Sequence, residues 1–256
     1  MDNTKPLVSI ILAIRNQERF LNDSINSLLA QTYKNIEIIA VNDNSTDNSG
    51  SILKKFNKDK GKIRIIQNKK QYGIAVSLNR AVRKSRGELI AFMDAQDLCN
   101  RKRLQNQVAY LINNPKTVAV GTCGFLIDKK SKKCGKFIFP KDNSSIYQSL
   151  MTGFSMQFET AMINTTLLPK DIIHFQKNTY PLYFSEMFVK LLPYGLFANL
   201  EKFLYYTRQS KTRHWQRIKQ YPSLIKLFLK SKTLYNYHPS FWSMFLSLIK
   251  QFPTTA

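Results

Sequence analysis

Four short apolar runs, the first of them rich in β-branched residues and each followed by an amphipathic stretch, constrain the fold of this chain more than any other feature. VSIILAI at 8–14 is too short for a core helix and predicts a strand buried on both faces. IEIIAV at 36–41, IRII at 63–66 and ELIAFM at 88–93 repeat the pattern. Between them, Leu21, Ile25, Leu28 and Leu29 recur at helical spacing, and Ile52, Leu53 and Phe56 mark a second helix that Ser45, Thr46 or Asp47 could cap. GIAVSLNRAVRKSRG predicts a third helix ending at Gly87, and Leu104, Val108, Leu111 and Ile112 a fourth, stopped by Pro115. Strands and helices in strict alternation predict an α/β fold: a mostly parallel sheet with right-handed crossovers, flanked by helices.

In such sheets ligands gather beyond the carboxyl ends of the strands, where strand order reverses. Asn16 follows the first run, Asp43 the second and Asp94 the fourth. No GxGxxG or GxxxxGK[ST] element accompanies them, so Asp and Asn side chains must supply the contacts. The segment AFMDAQD carries two acids, Asp94 and Asp97, to a strand tip with Gln96 between them. A blander account is open for each: Asp43 and Asp47 in a turn and helix cap, Asp94 and Asp97 as caps of a helix beginning near Asn100.

The 256 residues suffice for one large domain or two small ones, and 39 Lys and Arg against 16 Asp and Glu give a net charge of +23. An acidic partner follows: nucleic acid, anionic lipid or a phosphorylated substrate. No RRM, KH, zinc-finger or helix-turn-helix pattern is present, so a salt-sensitive nonspecific contact is all that charge alone says of nucleic acid. Cys99, Cys123 and Cys134 are widely spaced and odd in number, which predicts free thiols in a reducing compartment. Neither a basic leader nor an apolar run of about 20 residues is visible, and a cytoplasmic location is expected.

Residues 6–49, PLVSIILAIRNQERFLNDSINSLLAQTYKNIEIIAVNDNSTDNS, followed by GIAVSLNRAVRKSRGELIAFMDAQD, resemble the nucleotide-binding half of the family 2 glycosyltransferases, which have the GT-A fold. A weaker likeness resumes at LLPYGLFANLEKFLYY, 191–206. The resemblance implies transfer of a sugar, with inversion, from a nucleotide-diphosphate donor such as a UDP-sugar to a saccharide or lipid-linked acceptor. It also implies a divalent cation, Mn²⁺ or Mg²⁺, on the diphosphate. On the family pattern Asn16, Asp43, Ser45 and Asp94 are expected to hold the donor, and Asp94 and Asp97 the metal. Asn42 stands where a first acid is usual, and Gln96 where a middle acid is usual. An amide oxygen is a poorer ligand than a carboxylate for a hard cation.

The usual Glu-Asp pair that supplies a general base falls on Tyr183 and Phe184; Glu186, two residues on, is the expected base, and Glu159 is a second candidate acid. The organisation expected is a donor half over 1–115, an acceptor half over 116–210 and a basic amphipathic helical tail over 211–256. DKKSKKCGKF reads as a solvated basic hairpin, and 153–163, alternating at Phe154, Met156 and Phe158, as a strand near the acceptor. In the tail, apolar faces at Leu224, Leu227 and Phe228, and at Phe241, Phe245 and Leu248, are flanked by lysines. Such helices suit packing on the domain or peripheral contact with an anionic membrane at its inner face.

Overall fold

The four apolar runs form strands β1 (Val8–Ile14), β2 (Ile36–Asn42), β3 (Ile63–Gln67) and β4 (Leu89–Phe92) in a computed structural model that describes residues 5–58, 61–150, 155–177, 182–209 and 221–238. They lie in the order β3-β2-β1-β4, and all three pairings are parallel, with Val8 opposite both Ile36 and Leu89. The crossovers are α1 (Glu18–Leu29), α2 (Ser49–Lys58) and α3 (Ile74–Val82). Burial on both faces explains why these strands read as unbroken apolar runs. Ile10, Leu12 and Ile14 of β1 join Leu21, Ile25 and Leu28 of α1 in one core, while Ile11 joins Ala75, Leu78 and Ala81 of α3 in the other. Each Leu or Ile side chain among them contributes about 1.5–3 kcal/mol when fully buried.

Beyond β4 follow β5 (Leu98–Cys99), α4 (Arg103–Asn113), β6 (Thr117–Ile127), β7 (Lys133–Phe137), α5 (Asn143–Ser149), β8 (Met162–Asn164), α6 (Tyr183–Leu191), β9 (Leu196–Arg208) and α7 (Tyr221–Leu234). The same sheet continues β4-β8-β6-β9-β5, with β7 on β6. Here the pairing is mixed: β8 is antiparallel to β4 and β6, whereas β9 runs parallel to β6. The predicted basic hairpin is the β6–β7 turn, where Asp128 Oδ1 accepts from the N–H groups of Lys130 and Lys132.

Two local expectations change. α3 stops at Val82, not at Gly87, and the chain unwinds through Lys84 and Ser85, whose N–H groups reach back to Ala81 and Val82. Gly87 serves a close approach instead: a Cβ there would lie 2.6 Å from the Leu7 carbonyl and 2.7 Å from the Ser9 nitrogen. The strand expected over 153–163 is confined to β8. Met156 and Phe158 enter one core, as residues two apart in a strand would, but a 3-10 turn at Phe158–Thr160 interrupts the extended chain before β8. Gly153 and Phe154 lie outside the described residues. The helix expected near Leu224 is α7, and it packs on the domain through Leu227 and Phe228. Residues 210–220 and 239–256, with the stretch at Phe241, Phe245 and Leu248, lie outside the described residues.

Candidate active site

Strand order reverses beside β1, which has β2 on one side and β4 on the other. Asp43 leaves the carboxyl end of β2 and Asp94 that of β4, so two strand spacings, about 10 Å, separate them at the same edge. Arg15 and Asn16, at the tip of β1, lie between them.

The β1 and β2 tips are stitched together by the polar residues expected to hold a donor. Asn16 and Asn44 adopt left-handed backbone, φ 52° and 55°, which Asn tolerates better than most residues. Asn16 Oδ1 accepts from the Thr46 N–H at 2.9 Å, and the Asn16 N–H donates to Ser45 Oγ at 3.1 Å. Ser45 Oγ in turn donates to Asn42 Oδ1 at 2.6 Å. Asn42 is buried and its amide also donates to Gln67 Oε1 at 2.9 Å, so it holds the β2–β3 edge and is taken up internally. Asp47 accepts from the N–H groups of Ser49 and Glu18, both at 2.9 Å, which makes it the tie between the starts of α1 and α2. Arg15 Nη1 lies over this turn, donating to the carbonyls of Asp43 and Asn44.

Asp43 is 3% exposed. Its carboxylate accepts from the Tyr72 N–H (2.8 Å), the Gly73 N–H (2.8 Å) and Asn68 Nδ2 (2.6 Å), gathering the loop between β3 and α3 onto the strand tip. Burial pushes its pKa up, but these donors and the Arg15 charge outweigh burial and hold it below the ordinary value. Arg80 stacks over Tyr72 at 4.5 Å on the rim of the same loop.

The β4 tip is built differently. Asp94 keeps some exposure, and its Oδ1 accepts from the Gln96 N–H at 3.1 Å. Asp97 is 2% exposed and turned inward, accepting from the Arg208 N–H at 2.8 Å and from the Tyr205 hydroxyl. Neither acid caps α4, whose preceding residue is Lys102. Burial raises both carboxyls, that of Asp97 well above the ordinary value with the Asp94 charge adding to it. Arg208 pins the loop from its far side: Nε donates to the Gln96 carbonyl at 2.9 Å and Nη1 to the Asp128 carbonyl at 2.7 Å.

Glu159 belongs to the same cluster. The turn at Phe158–Thr160 delivers it beside β4, through the Phe92 N–H to Ala161 carbonyl bond. Burial, then the negative charge of Asp94, push its carboxyl up to about 7. Fully buried Arg103 lies beneath, donating through Nη2 to the carbonyls of Phe92 and Glu159 and sitting 5.0 Å over the Tyr205 ring. Its Nη1 is buried with no hydrogen-bond acceptor among the described residues.

Glu186 lies elsewhere in the electrostatic map. It is in the first turn of α6, 1% exposed, with Lys230 of α7 at 2.5 Å and Lys190 at 3.9 Å. The Tyr235 hydroxyl is 3.4 Å from the same oxygen. Phe184, where an acid is usual, stacks on Phe158 with ring centroids 3.9 Å apart. Arg103, Tyr205 and Arg208 are the members of the site that sequence reasoning missed. NRKRLQ looks like a solvated first turn of a helix, and only the tertiary fold buries Arg103.

A divalent cation prefers several oxygen ligands with formal charge. Among the described residues no three His, Cys, Asp or Glu side chains gather to hold one. Gln96 offers a neutral amide and Asp97 faces inward, so the protein by itself does not build the three-acid site that the family pattern implies.

The family model described as Glycosyl transferase family 2 matches residues 9–163. The putative glycosyltransferase EpsE of Bacillus subtilis is 40% identical over 128 residues, 50% of this chain and 46% of that protein. The Escherichia coli protein WfgD, a UDP-Glc:alpha-D-GlcNAc-diphosphoundecaprenol beta-1,3-glucosyltransferase, is 29% identical over 180 residues, 70% of this chain and 69% of that one. The chain spans less than half the length of EpsE and of an uncharacterized Haemophilus influenzae glycosyltransferase, of which it covers 40%. Among solved structures, S. aureus TarS 1-349 in complex with UDP-GlcNAc superposes with a TM-score of 0.71 at 19% identity, over 89% of this chain and 67% of that one. The mannosyltransferase PcManGT from Pyrobaculum calidifontis, in complex with GDP-Man and Mn2+, gives 0.69 at 18% identity, over 96% of this chain and 74% of that one. The fold is the GT-A fold of these transferases.

Proposed function

Because the chain belongs to glycosyl transferase family 2, we propose that it moves a sugar from a UDP-sugar to a saccharide carried on a lipid diphosphate, with inversion at the transferred carbon. The observation that carries this reading is the convergence of Asp43 and Asp94 on one sheet edge at the strand-order reversal, with Arg15 between them. Relatives support the substrate class: WfgD carries its donor and its lipid diphosphate acceptor in its name, and TarS was solved with UDP-GlcNAc. An acceptor on a carrier lipid brings the reaction to an anionic membrane face on the cytoplasmic side.

In this reading Asn16, Asp43 and Ser45 shape the base and ribose subsite through the loops they tie, and Asp94 meets the donor near its diphosphate. Mn²⁺ or Mg²⁺ enters only as a companion of that diphosphate, because Asp94 is the one acid of its motif with open surface. The transfer needs an acceptor oxygen to lose its proton as it bonds to the sugar carbon, while the bond from that carbon to the leaving phosphate oxygen breaks. Glu159 is the better proton acceptor of the two candidates: it shares a cluster with Asp94, whereas Glu186 is held in an ion pair with Lys230. Glu186 then acts as a positioning residue that seats α7 on α6.

Turnover of a UDP-sugar panel on lipid diphosphate saccharides, for the native chain, Glu159→Gln and Glu186→Gln, tests this assignment. Glu159→Gln is expected to lower kcat by about 10²–10⁴ with little change in donor KM. Native-like turnover in Glu159→Gln, with loss confined to Glu186→Gln, returns the base to Glu186.

A further inference from the structure

α7 is apolar on two sides. Leu227 (3% exposed), Phe228 (5%) and Ser231 (0%) face the domain, and Lys230 reaches inward to Glu186. At about 100° per residue, Ile225, Leu229 and Thr233 line the opposite face. Ile225 is 46% exposed and Leu229 59%, with Leu234 at the helix end 64% exposed. α7 thus carries three of the seven exposed large hydrophobic side chains among the described residues, so apolar exposure is concentrated there. Lys226 and Lys232 flank the row and are exposed. Lys177, also exposed, adjoins Gln176, whose Oε1 lies 3.2 Å from Lys230 Nζ.

Along the sequence, the charge on either side of this row has one sign. No Asp or Glu occurs after Glu201, and the charged residues from 202 to 256 are all Lys or Arg. A second copy placed face to face would oppose lysines to lysines, and a nucleic acid has no use for the apolar row. An anionic bilayer surface answers both halves of the pattern, taking apolar side chains at the level of the headgroups and lysines against phosphate.

We propose that the outward face of α7 docks on an anionic lipid surface, with Ile225 and Leu229 entering the headgroup boundary and Lys226, Lys232 and Lys177 pairing with lipid phosphates. The proposal rests on the lipid-linked reading for its purpose, since it would bring the transferase to its acceptor; the contact itself needs no catalysis. Cosedimentation with vesicles of equal parts phosphatidylcholine and phosphatidylglycerol, and of phosphatidylcholine alone, tests it, with UDP binding measured on every variant. The native chain is expected to bind the anionic vesicles, to ignore the neutral ones and to detach at high salt. Ile225→Ser/Leu229→Ser is expected to lower the partition coefficient by about 10-fold or more while keeping native UDP binding and Tm, because both residues face outward. Lys226→Gln/Lys232→Gln is expected to weaken binding and flatten its salt dependence. Absence of binding by the native chain, equal binding by the apolar double variant, or a native dimer that this variant turns into monomer overturns the proposal. Vesicle binding without UDP binding leaves the docking face standing and removes the transfer reading; the reverse removes only the docking face.

Discussion

Gln96 and Asp43 show how single side chains set the chemistry of the two strand tips. The backbone of Gln96 holds the tip loop, its N–H on Asp94 and its carbonyl on Arg208, and its side chain adds a further hydrogen bond to Asp94. Gln96→Asp should keep the two backbone bonds, exchange the side-chain bond for a second carboxylate beside Asp94, and so add the missing hard ligand. Calorimetry should show Mn²⁺ tightening UDP binding by about 10-fold more in the variant than in the native chain. Asp43 tests the other tip. Its folded pKa lies below the ordinary value near 3.8, so its contribution to stability is fully present above that value and is lost as pH falls through the lowered one. Asp43→Asn, which leaves a buried donor short of an acceptor, should cost about 1–3 kcal/mol at neutral pH by urea unfolding. That gap should close as the pH is taken below 3.8.

At the scale of elements, α6 and α7 meet through a carboxylate that is 1% exposed and a lysine side chain that is 25% exposed. Removing Lys230 takes the nearest cation from a buried carboxylate and leaves it Lys190 at 3.9 Å and the Tyr235 hydroxyl at 3.4 Å. Lys230→Ala should therefore destabilise the protein by about 2–4 kcal/mol, whereas the paired change Glu186→Gln/Lys230→Met should recover much of the loss. Equal stability of Lys230→Ala and the native chain in urea would contradict a stabilising role for the pair. The elements of the donor half were legible because β1, β2 and β4 are buried on both faces and α1 on one, which writes burial directly into residue pattern. The limits of α3 were not. Glycine marks helix ends by conformational freedom and also marks close packing by its missing Cβ, and Gly87 belongs to the second kind. Alternation at Met156 and Phe158 does mark a shared core face, but it carries no sign of the 3-10 turn at Phe158–Thr160 that breaks the extended run before β8.

For the whole molecule, the strand alternation foretold the parallel order β3-β2-β1-β4, which places the strand-order reversal beside β1. Asp43 and Asp94 were readable as strand-tip residues for that reason. The supporting layer of Arg103, Tyr205 and Arg208 was not, because these residues come from α4 and β9 and meet the acids only through tertiary contacts. Net charge pointed toward an anionic partner without identifying one; we assign an anionic nucleotide to the sheet edge and an anionic surface to α7 as separate proposals. The central claim is that side chains of the β2 and β4 tips share one nucleotide-diphosphate pocket. Calorimetric titration of UDP into the native chain and into Asp94→Ala, with Tm recorded for both, addresses it most directly. Saturable binding by the native chain and at least ~10-fold weaker binding by an equally folded Asp94→Ala is the result expected; indistinguishable affinities, or no binding by the native chain, would contradict it.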